Sequence, residues 1–288
     1  MAITSTALHF SNLQFQFQAS SSWNFNPQLS NSLSALSYKP NFQILRTQFP
    51  KPLCLASNGT DSASRVAVLD PSLAVKKKAM DIAPGLKGTS IFLVGMNSSM
   101  KTSLGKLLAD ALRYYYFDSD SLVEEAAAGK FGAKSFKESD EEGFRVSETE
   151  VLKQLSSMGR LVVCAGDGAV QSSTNLALLR HGISIWIEVP LEMVARGEME
   201  DQMQLAVTDS VSDSEVDQVL TQLASLYEKM RGGYGTADAT VSLQKIAYKL
   251  GYDDLNAVTA EDMTLEVLKE IEKLTRVKRM MEEAAKPF

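Results

Sequence analysis

The sequence predicts an α/β fold of three layers, in which a five-stranded parallel sheet is flanked by helices on both faces. From Ser90 onward, short apolar runs alternate with longer amphipathic stretches, which is the pattern of strands joined by crossover helices. The apolar runs contain almost no charged residues, as expected for parallel strands that are buried on both faces. A chain of 288 residues with 44% hydrophobic content is large enough to bury such a core.

The strands are identified from the apolar runs themselves. The first run ends at Gly95, a residue that commonly interrupts a strand. The five predicted strands are Ile91–Val94, Tyr114–Phe117, Leu161–Ala165, Ile183–Val189 and Ala239–Leu243.

The helices are identified from apolar residues that fall on one side of each amphipathic stretch. Leu104, Leu108 and Ala111 share a side of the first helix, and Gly159 ends the second. The last helix carries an apolar residue at every third position from Leu265 to Val277. We expect this stripe to pack on the sheet; the alternative is a surface that binds a partner. The predicted helices are Lys101–Leu112, Glu142–Met158, Asn175–Arg180, Asp213–Lys229 and Ala260–Ala285.

The N-terminal segment differs from the rest of the chain. Residues 1–55 are rich in Ser, Asn, Gln and Phe, contain no acidic residue and show no periodicity, which is typical of an organellar transit peptide. Its Met-Ala start and single Arg favour a chloroplast over a mitochondrion as the destination. The alternative to a transit peptide is a disordered N-terminal tail. Residues 56–88 are predicted to form a polar linker, and residues 89–288 the folded domain.

Charge and composition exclude several classes of function. The formal net charge is −6, and because residues 1–60 hold three basic and no acidic residues, the remainder carries −9. An acidic body argues against nucleic-acid binding. No apolar stretch reaches the roughly 20 residues of a membrane span. Two Cys and two His, far apart in sequence, are too few for a zinc cluster.

The segment after the first strand has the frame of a phosphate-binding loop. Gly95 is separated by four residues from Met100-Lys101-Thr102, which stand at the start of a helix. Such a loop binds phosphate through backbone N–H groups, a helix N-terminus and a Lys, and its hydroxyl binds Mg²⁺. Met100 departs from the Gly expected there, and a positive φ at this position would cost about 1 kcal/mol. A chance match is the alternative.

Three further motifs follow in a fixed order. They are Phe117-Asp118-Ser119-Asp120, Glu142-Gly143-Phe144-Arg145 with Glu148 three residues on, and Gly166-Asp167-Gly168-Ala169-Val170. In this order and spacing the chain resembles the shikimate kinase family over roughly Ser90–Val241. The resemblance implies a P-loop fold like that of the nucleoside monophosphate kinases, and transfer of the ATP γ-phosphate to the 3-hydroxyl of shikimate.

The resemblance also implies a role for each matching residue. Vestigial nucleotide contacts would come from Gly95, Lys101, Thr102 and Arg196. A vestigial Mg²⁺ site would use Thr102 and Asp118. Vestigial substrate contacts would come from Asp120, Arg145, Gly166 and Gly168. ATP and Mg²⁺ are the cofactors expected if residual binding survives. For Asp120 and Arg145, the alternative to substrate binding is a structural role, such as pairing with each other.

Several departures from the family pattern indicate that catalysis is lost. Asp167 introduces a carboxylate into a loop that is otherwise Gly, where it would repel an anionic substrate at ~4 Å by ~4 kcal/mol. The lid has no Lys or Arg from Glu198 to Glu215, and Leu223 occupies the place of a second substrate-binding Arg. A transition-state Arg is worth roughly 10³ to 10⁵ in rate.

The departures resemble a plant branch of shikimate kinase-like proteins, which implies an inactive plastid protein that serves chloroplast biogenesis. We expect a monomer that acts through an unidentified plastid protein partner, with the acidic lid or residues 244–259 as its contact surface. An active small-molecule kinase and a nucleotide-sensing switch without turnover are the alternatives.

Overall fold

The sheet has the five parallel strands that the sequence predicts. The computed structural model describes residues 71–127, 136–206 and 213–286, apart from the side chains of residues 198, 201–206 and 213–216. The strand order is β2-β3-β1-β4-β5, and every neighbouring pair is parallel. The strands are β1 (Ile91–Val94), β2 (Tyr115–Asp118), β3 (Leu161–Cys164), β4 (Ile183–Glu188) and β5 (Ala239–Ser242).

Helices cover the sheet, and some of them have no counterpart in the sequence prediction. Helices α1, α3, α4, α7 and α9 are additional; α3 and α4 contain nine and four residues, which is too short for a clear apolar period. The helices are α1 (Pro71–Leu86), α2 (Ser99–Leu112), α3 (Ser119–Ala127), α4 (Phe136–Ser139), α5 (Glu141–Ser156), α6 (Ser173–Leu179), α7 (Leu191–Ala206), α8 (Asp213–Tyr234), α9 (Leu243–Leu250) and α10 (Ala260–Ala284).

The carboxyl ends of the central strands bring the sequence motifs together. Strand β1 is fully buried because β3 and β4 pair with its two edges and helices cover its faces. The loop after β1, the start of α3 after β2 and the 3-10 helix Asp167–Gln171 after β3 therefore meet at one edge. In open parallel sheets this edge is where ligands bind.

The folded domain begins earlier than predicted. The segment predicted as a polar linker, residues 56–88, includes α1, which packs against α2 and α10 through Val75, Ala79, Ile82 and Leu86. These residues are spaced at three and four positions, which is the period of a buried helix face, and the lysine run obscures it in the sequence. The predicted transit peptide and residues 56–70 lie outside the described residues.

Helix α10 packs against β5 and also against α1 and α2. Its buried side chains include Met263, Val267, Leu268 and Ile271, whereas Val277, the last residue of the predicted stripe, is 52% exposed. A stripe at every third residue drifts away from a helix face that repeats every 3.6 residues, so only the middle of the prediction is correct. None of the described helices is long and apolar enough to cross a membrane.

Candidate active site

The phosphate-binding loop connects β1 to α2. Gly95 has a φ of +132°, and a Cβ atom there would overlap the carbonyl oxygen of Ile187, so Gly is required. Ser98 is the N-cap of α2, and its side chain accepts a hydrogen bond from the Lys101 backbone N–H at 3.2 Å. The cap thus occupies one of the N–H groups that a phosphate would contact.

Met100 changes this loop without straining it. It lies in the first turn of α2, and the non-Gly residues with positive φ in the described chain are Lys87, Arg113 and Arg160. The condition for the predicted conformational cost is therefore not met at Met100, because a helical residue needs no positive φ. Its half-buried side chain packs against the core. What this departure adds is bulk beside the loop.

Lys101 is bonded entirely within the chain. Its side chain is buried, with 2% exposure of the residue. The ammonium donates to the Gly95 carbonyl at 2.9 Å, the Asn97 Oδ1 atom at 2.8 Å and the Ala165 carbonyl at 2.8 Å. An ammonium has three N–H donors, so none remains for a phosphate oxygen in this arrangement.

Asn97 joins Lys101 to the carboxylate predicted for substrate binding. Its Nδ2 atom donates to Asp120 Oδ2 at 3.2 Å, and Lys137 Nζ lies 3.7 Å from the same oxygen. Burial raises the pKa of Asp120, while Lys137 acts in the opposite direction. The other oxygen, Oδ1, is buried and has no hydrogen-bond partner among the described residues.

Asp167 is held by two cations and a backbone amide. Its Oδ1 atom accepts from Lys137 Nζ at 2.8 Å and from the Gly168 N–H at 2.7 Å, and lies 4.0 Å from Arg145 Nη2. Burial opposes ionisation, but Lys137 and Arg145 keep the pKa of Asp167 below its ordinary value. Asp167 is therefore not the bare carboxylate that the predicted repulsion assumes, because two cations compensate its charge, and the repulsion itself stays a prediction.

Arg145 pairs with a buried carboxylate on its own helix. Its Nη1 atom lies 3.3 Å from Glu148 Oε2, and the Glu148 side chain is fully buried. Burial raises the pKa of Glu148 to about 7, with a smaller contribution from Asp120, while Arg145 lowers it. Asp120 and Arg145 do not pair with each other, and each contacts another charged group instead, so only the pairing example of the structural alternative is absent. Gly168 lies against the guanidinium, where a Cβ atom would overlap it.

Other predicted site residues stand apart from this cluster. Asp118 Oδ1 accepts from the Ser121 backbone N–H at 2.9 Å and so caps the start of α3, and Thr102 is half-buried in α2. Arg196 is exposed on α7 and takes no part in the contacts described above. Leu223 is 5% exposed in the core. Most of the acidic lid lies outside the described side chains.

The comparisons with known proteins agree with these motifs. The family model described as shikimate kinase matches residues 97–250, which is more than half of the chain. This chain belongs to the shikimate kinase family. The predicted fold is also confirmed by a solved shikimate kinase from Acinetobacter baumannii, in complex with shikimate, which is 25% identical with a TM-score of 0.51 and covers 68% of this chain and 97% of that one.

Two plant relatives of this family member match a larger part of the chain. The protein named "Probable inactive shikimate kinase like 1, chloroplastic" from Arabidopsis thaliana is 61% identical over 234 residues, covering 81% of this chain and 80% of that protein. Shikimate kinase 2, chloroplastic, from Oryza sativa subsp. japonica is 40% identical over 228 residues, covering 77% and 74%. The relative named inactive is thus considerably more similar than this one named as a kinase.

The residues of this family member do not fit Mg²⁺ and ATP as they are arranged. Lys101 has no donor left for a phosphate, and one oxygen of Asp118 is used as a helix cap. The N-terminal turn of α2 is also capped by Ser98. The chain would have to break several of its own hydrogen bonds before this shikimate kinase fold could hold a triphosphate.

Sequence reasoning missed Lys137, Asn97 and Tyr234. Lys137 contacts Asp120 and Asp167 from the four-residue α4, and nothing in its local sequence marks it. Asn97 lies inside the loop motif, so its position was a usable signal. The buried Tyr234 hydroxyl donates to the Asp167 carbonyl at 2.9 Å. It also contacts the Met96 sulfur, from which it is separated by 138 residues in sequence. Only the packing of α8 reveals it.

Proposed function

We propose that this chain is a chloroplast shikimate kinase-like protein that does not phosphorylate shikimate and acts by binding. The chloroplast is supported by the names of both plant relatives, and we place the protein in the stroma. The single observation that carries the proposal is the complete use of the three Lys101 donors within the chain.

The charge balance of the site supports the same conclusion. Phosphoryl transfer is catalysed by positive groups that stabilise the charge of the transferring phosphate. Here the cations Lys101, Lys137 and Arg145 face three carboxylates. These carboxylates belong to Asp120, Glu148 and Asp167. A site that neutralises its own cations offers little stabilisation to an incoming polyanion.

The biological role that the resemblance implies is chloroplast biogenesis, and we extend it to this chain. A protein that keeps the fold of a kinase without its chemistry can contribute a surface to an assembly. We infer that the partner is a plastid protein, in agreement with the acidic charge of the chain, which disfavours nucleic acid.

The proposal is tested by measuring ADP release from ATP, Mg²⁺ and shikimate with the full chain. We expect no release above that of the Lys101→Met variant. The matched positive control is the rice shikimate kinase 2, assayed under the same conditions. Shikimate-dependent ADP release that disappears in the Lys101→Met variant would overturn the proposal.

A second candidate is a nucleotide-binding switch without turnover. It is favoured by the retained loop geometry, in which Gly95 keeps its positive φ and α2 begins directly after the loop. Titration calorimetry with ATP and with ADP distinguishes the candidates. Binding of ATP but not ADP, lost in Lys101→Met, would support the switch, and no heat with either nucleotide would exclude it.

A further inference from the structure

We propose that the Asp167 side chain is a tethered ligand, which fills a site for a small hydroxylated carboxylic acid formed by Lys137, Arg145 and the Gly168 N–H. The proposal rests on the proposed function, because it explains how the acceptor half of the site is closed. It adds to the substrate contacts that the family resemblance implies the residue that occupies their place in this chain.

The first argument is the convergence of donors on one oxygen. Asp167 Oδ1 receives Lys137 Nζ at 2.8 Å and the Gly168 N–H at 2.7 Å, with Arg145 Nη2 at 4.0 Å. The Lys137 and Arg145 side chains are only 32% and 22% exposed, so both cations are largely removed from water. Two partly desolvated cations and an amide are a typical set for recognising a carboxylate.

The second argument is that the tethered carboxylate leaves nearby polar atoms unsatisfied. Arg145 Nε and Asp120 Oδ1 are buried and have no hydrogen-bond partner among the described residues. Unpartnered buried polar atoms are uncommon and need an explanation. One is a donor and the other an acceptor, so a free ligand could satisfy both, with a carboxylate oxygen at Arg145 and a hydroxyl group at Asp120.

The third argument is the bare backbone on both sides of Asp167. A Cβ atom on Gly166 would overlap the Asp120 carboxylate, and one on Gly168 would overlap the Arg145 guanidinium. The Gly166 N–H donates to Ser119 Oγ at 2.9 Å, and the Tyr234 hydroxyl holds the Asp167 carbonyl. The backbone is therefore anchored independently of the Asp167 side chain, and removal of that side chain would open space beside fixed cations.

The test is equilibrium binding of shikimate to full-length protein by titration calorimetry. We expect Asp167→Gly to bind shikimate about ten-fold or more tightly than the wild type, since it removes the carboxylate that both cations share. Asp167→Asn removes the charge but keeps the bulk, and should give a smaller gain. Asp110→Asn, an exposed charge change on α2, is the matched control and should have no effect.

Specificity for the carboxylate is tested in the Asp167→Gly background. Arg145→Leu should abolish the gain, and the methyl ester of shikimate should bind no more tightly to Asp167→Gly than to the wild type. Equal binding to wild type and Asp167→Gly, or a gain that survives Arg145→Leu, would overturn the proposal. If circular dichroism shows that Asp167→Gly does not fold, the comparison is made with Asp167→Asn instead. Equal binding of shikimate to the wild type and to Asp167→Asn would then overturn the proposal.

The outcomes for the two proposals are separable. Tighter binding without ADP release supports both, whereas ADP release by the wild type refutes the proposed function whatever the binding result. Unchanged binding with no ADP release removes the tethered-ligand proposal and leaves the proposed function standing.

Discussion

Replacing Lys101 with Met tests whether this lysine has become part of the folded framework. In a working phosphate loop the ammonium contacts the nucleotide, and its loss affects binding more than folding. Here the ammonium connects the loop at Gly95 to the end of β3 at Ala165, and its residue is 2% exposed. We therefore expect Lys101→Met to lower the free energy of unfolding.

The magnitude follows from the three hydrogen bonds at 2.8 to 2.9 Å. Their loss leaves three acceptors, each of which costs about 1–3 kcal/mol if it stays unpaired in the interior. Removing the ammonium also removes its desolvation cost, which is several kcal/mol and acts in the opposite direction. Met fills the space of the side chain, so little cavity cost is added. The net expectation is a loss of about 2–4 kcal/mol.

Urea denaturation followed by circular dichroism measures this loss, and Lys106→Met is the matched control. Lys106 lies on the same helix and is exposed, so its replacement should change stability by less than about 1 kcal/mol. A Lys101→Met variant as stable as Lys106→Met would refute the reasoning. A rise in the wild-type melting temperature with Mg²⁺ and ATP, absent in Lys101→Met, would likewise show that the lysine is available to phosphate.

Two other predictions concern Glu148 and α1. Because burial raises the pKa of Glu148 to about 7, the folded state retains a proton that the unfolded chain loses near its ordinary pKa of 4.5, and wild-type stability falls as pH rises between these values. Glu148→Gln should remove this fall in the free energy of unfolding, which is about 3 kcal/mol at most. Urea denaturation at pH 5 and pH 8 measures it, and a pH dependence equal to that of the wild type would contradict the prediction. The melting temperature of a chain that starts at residue 88 should be about 5 °C or more below that of a chain that starts at residue 69, because the shorter chain lacks the buried face of α1. Equal melting temperatures would support the interpretation of this segment as a linker.

The prediction of the fold succeeded where local sequence patterns are strong. The strands around Ile91 and Leu161 are continuous apolar runs because both faces are covered, and their bounds differ from the observed ones by one residue at most. It failed for α3 and α4, which are too short to show a period. It also failed for α1, where the apolar spacing was present but the segment was predicted as a polar linker.

The structure brings only some of the predicted site residues together, and the roles assigned to them stay predictions. Lys101 and Asp120 follow the ends of β1 and β2, and Arg145 lies on α5, the helix that precedes β3. These three residues are linked through the network described above. Lys137 could not be predicted, because its contact with Asp167 spans 30 residues and depends on how α4 packs. Whether Asp167 is a bare carboxylate or one paired with a cation also depends on this contact.

The sequence by itself determined the parallel sheet, the loop after its first strand and the family to which the chain belongs, since these depend on local periodicity and motif order. The tertiary structure alone decided what the surviving site residues do. Burial removes water from Lys101, Arg145 and Asp167, and charged groups without water must take partners from whatever the fold places beside them. Those partners come from distant positions in the chain, so no local pattern of residues specifies them.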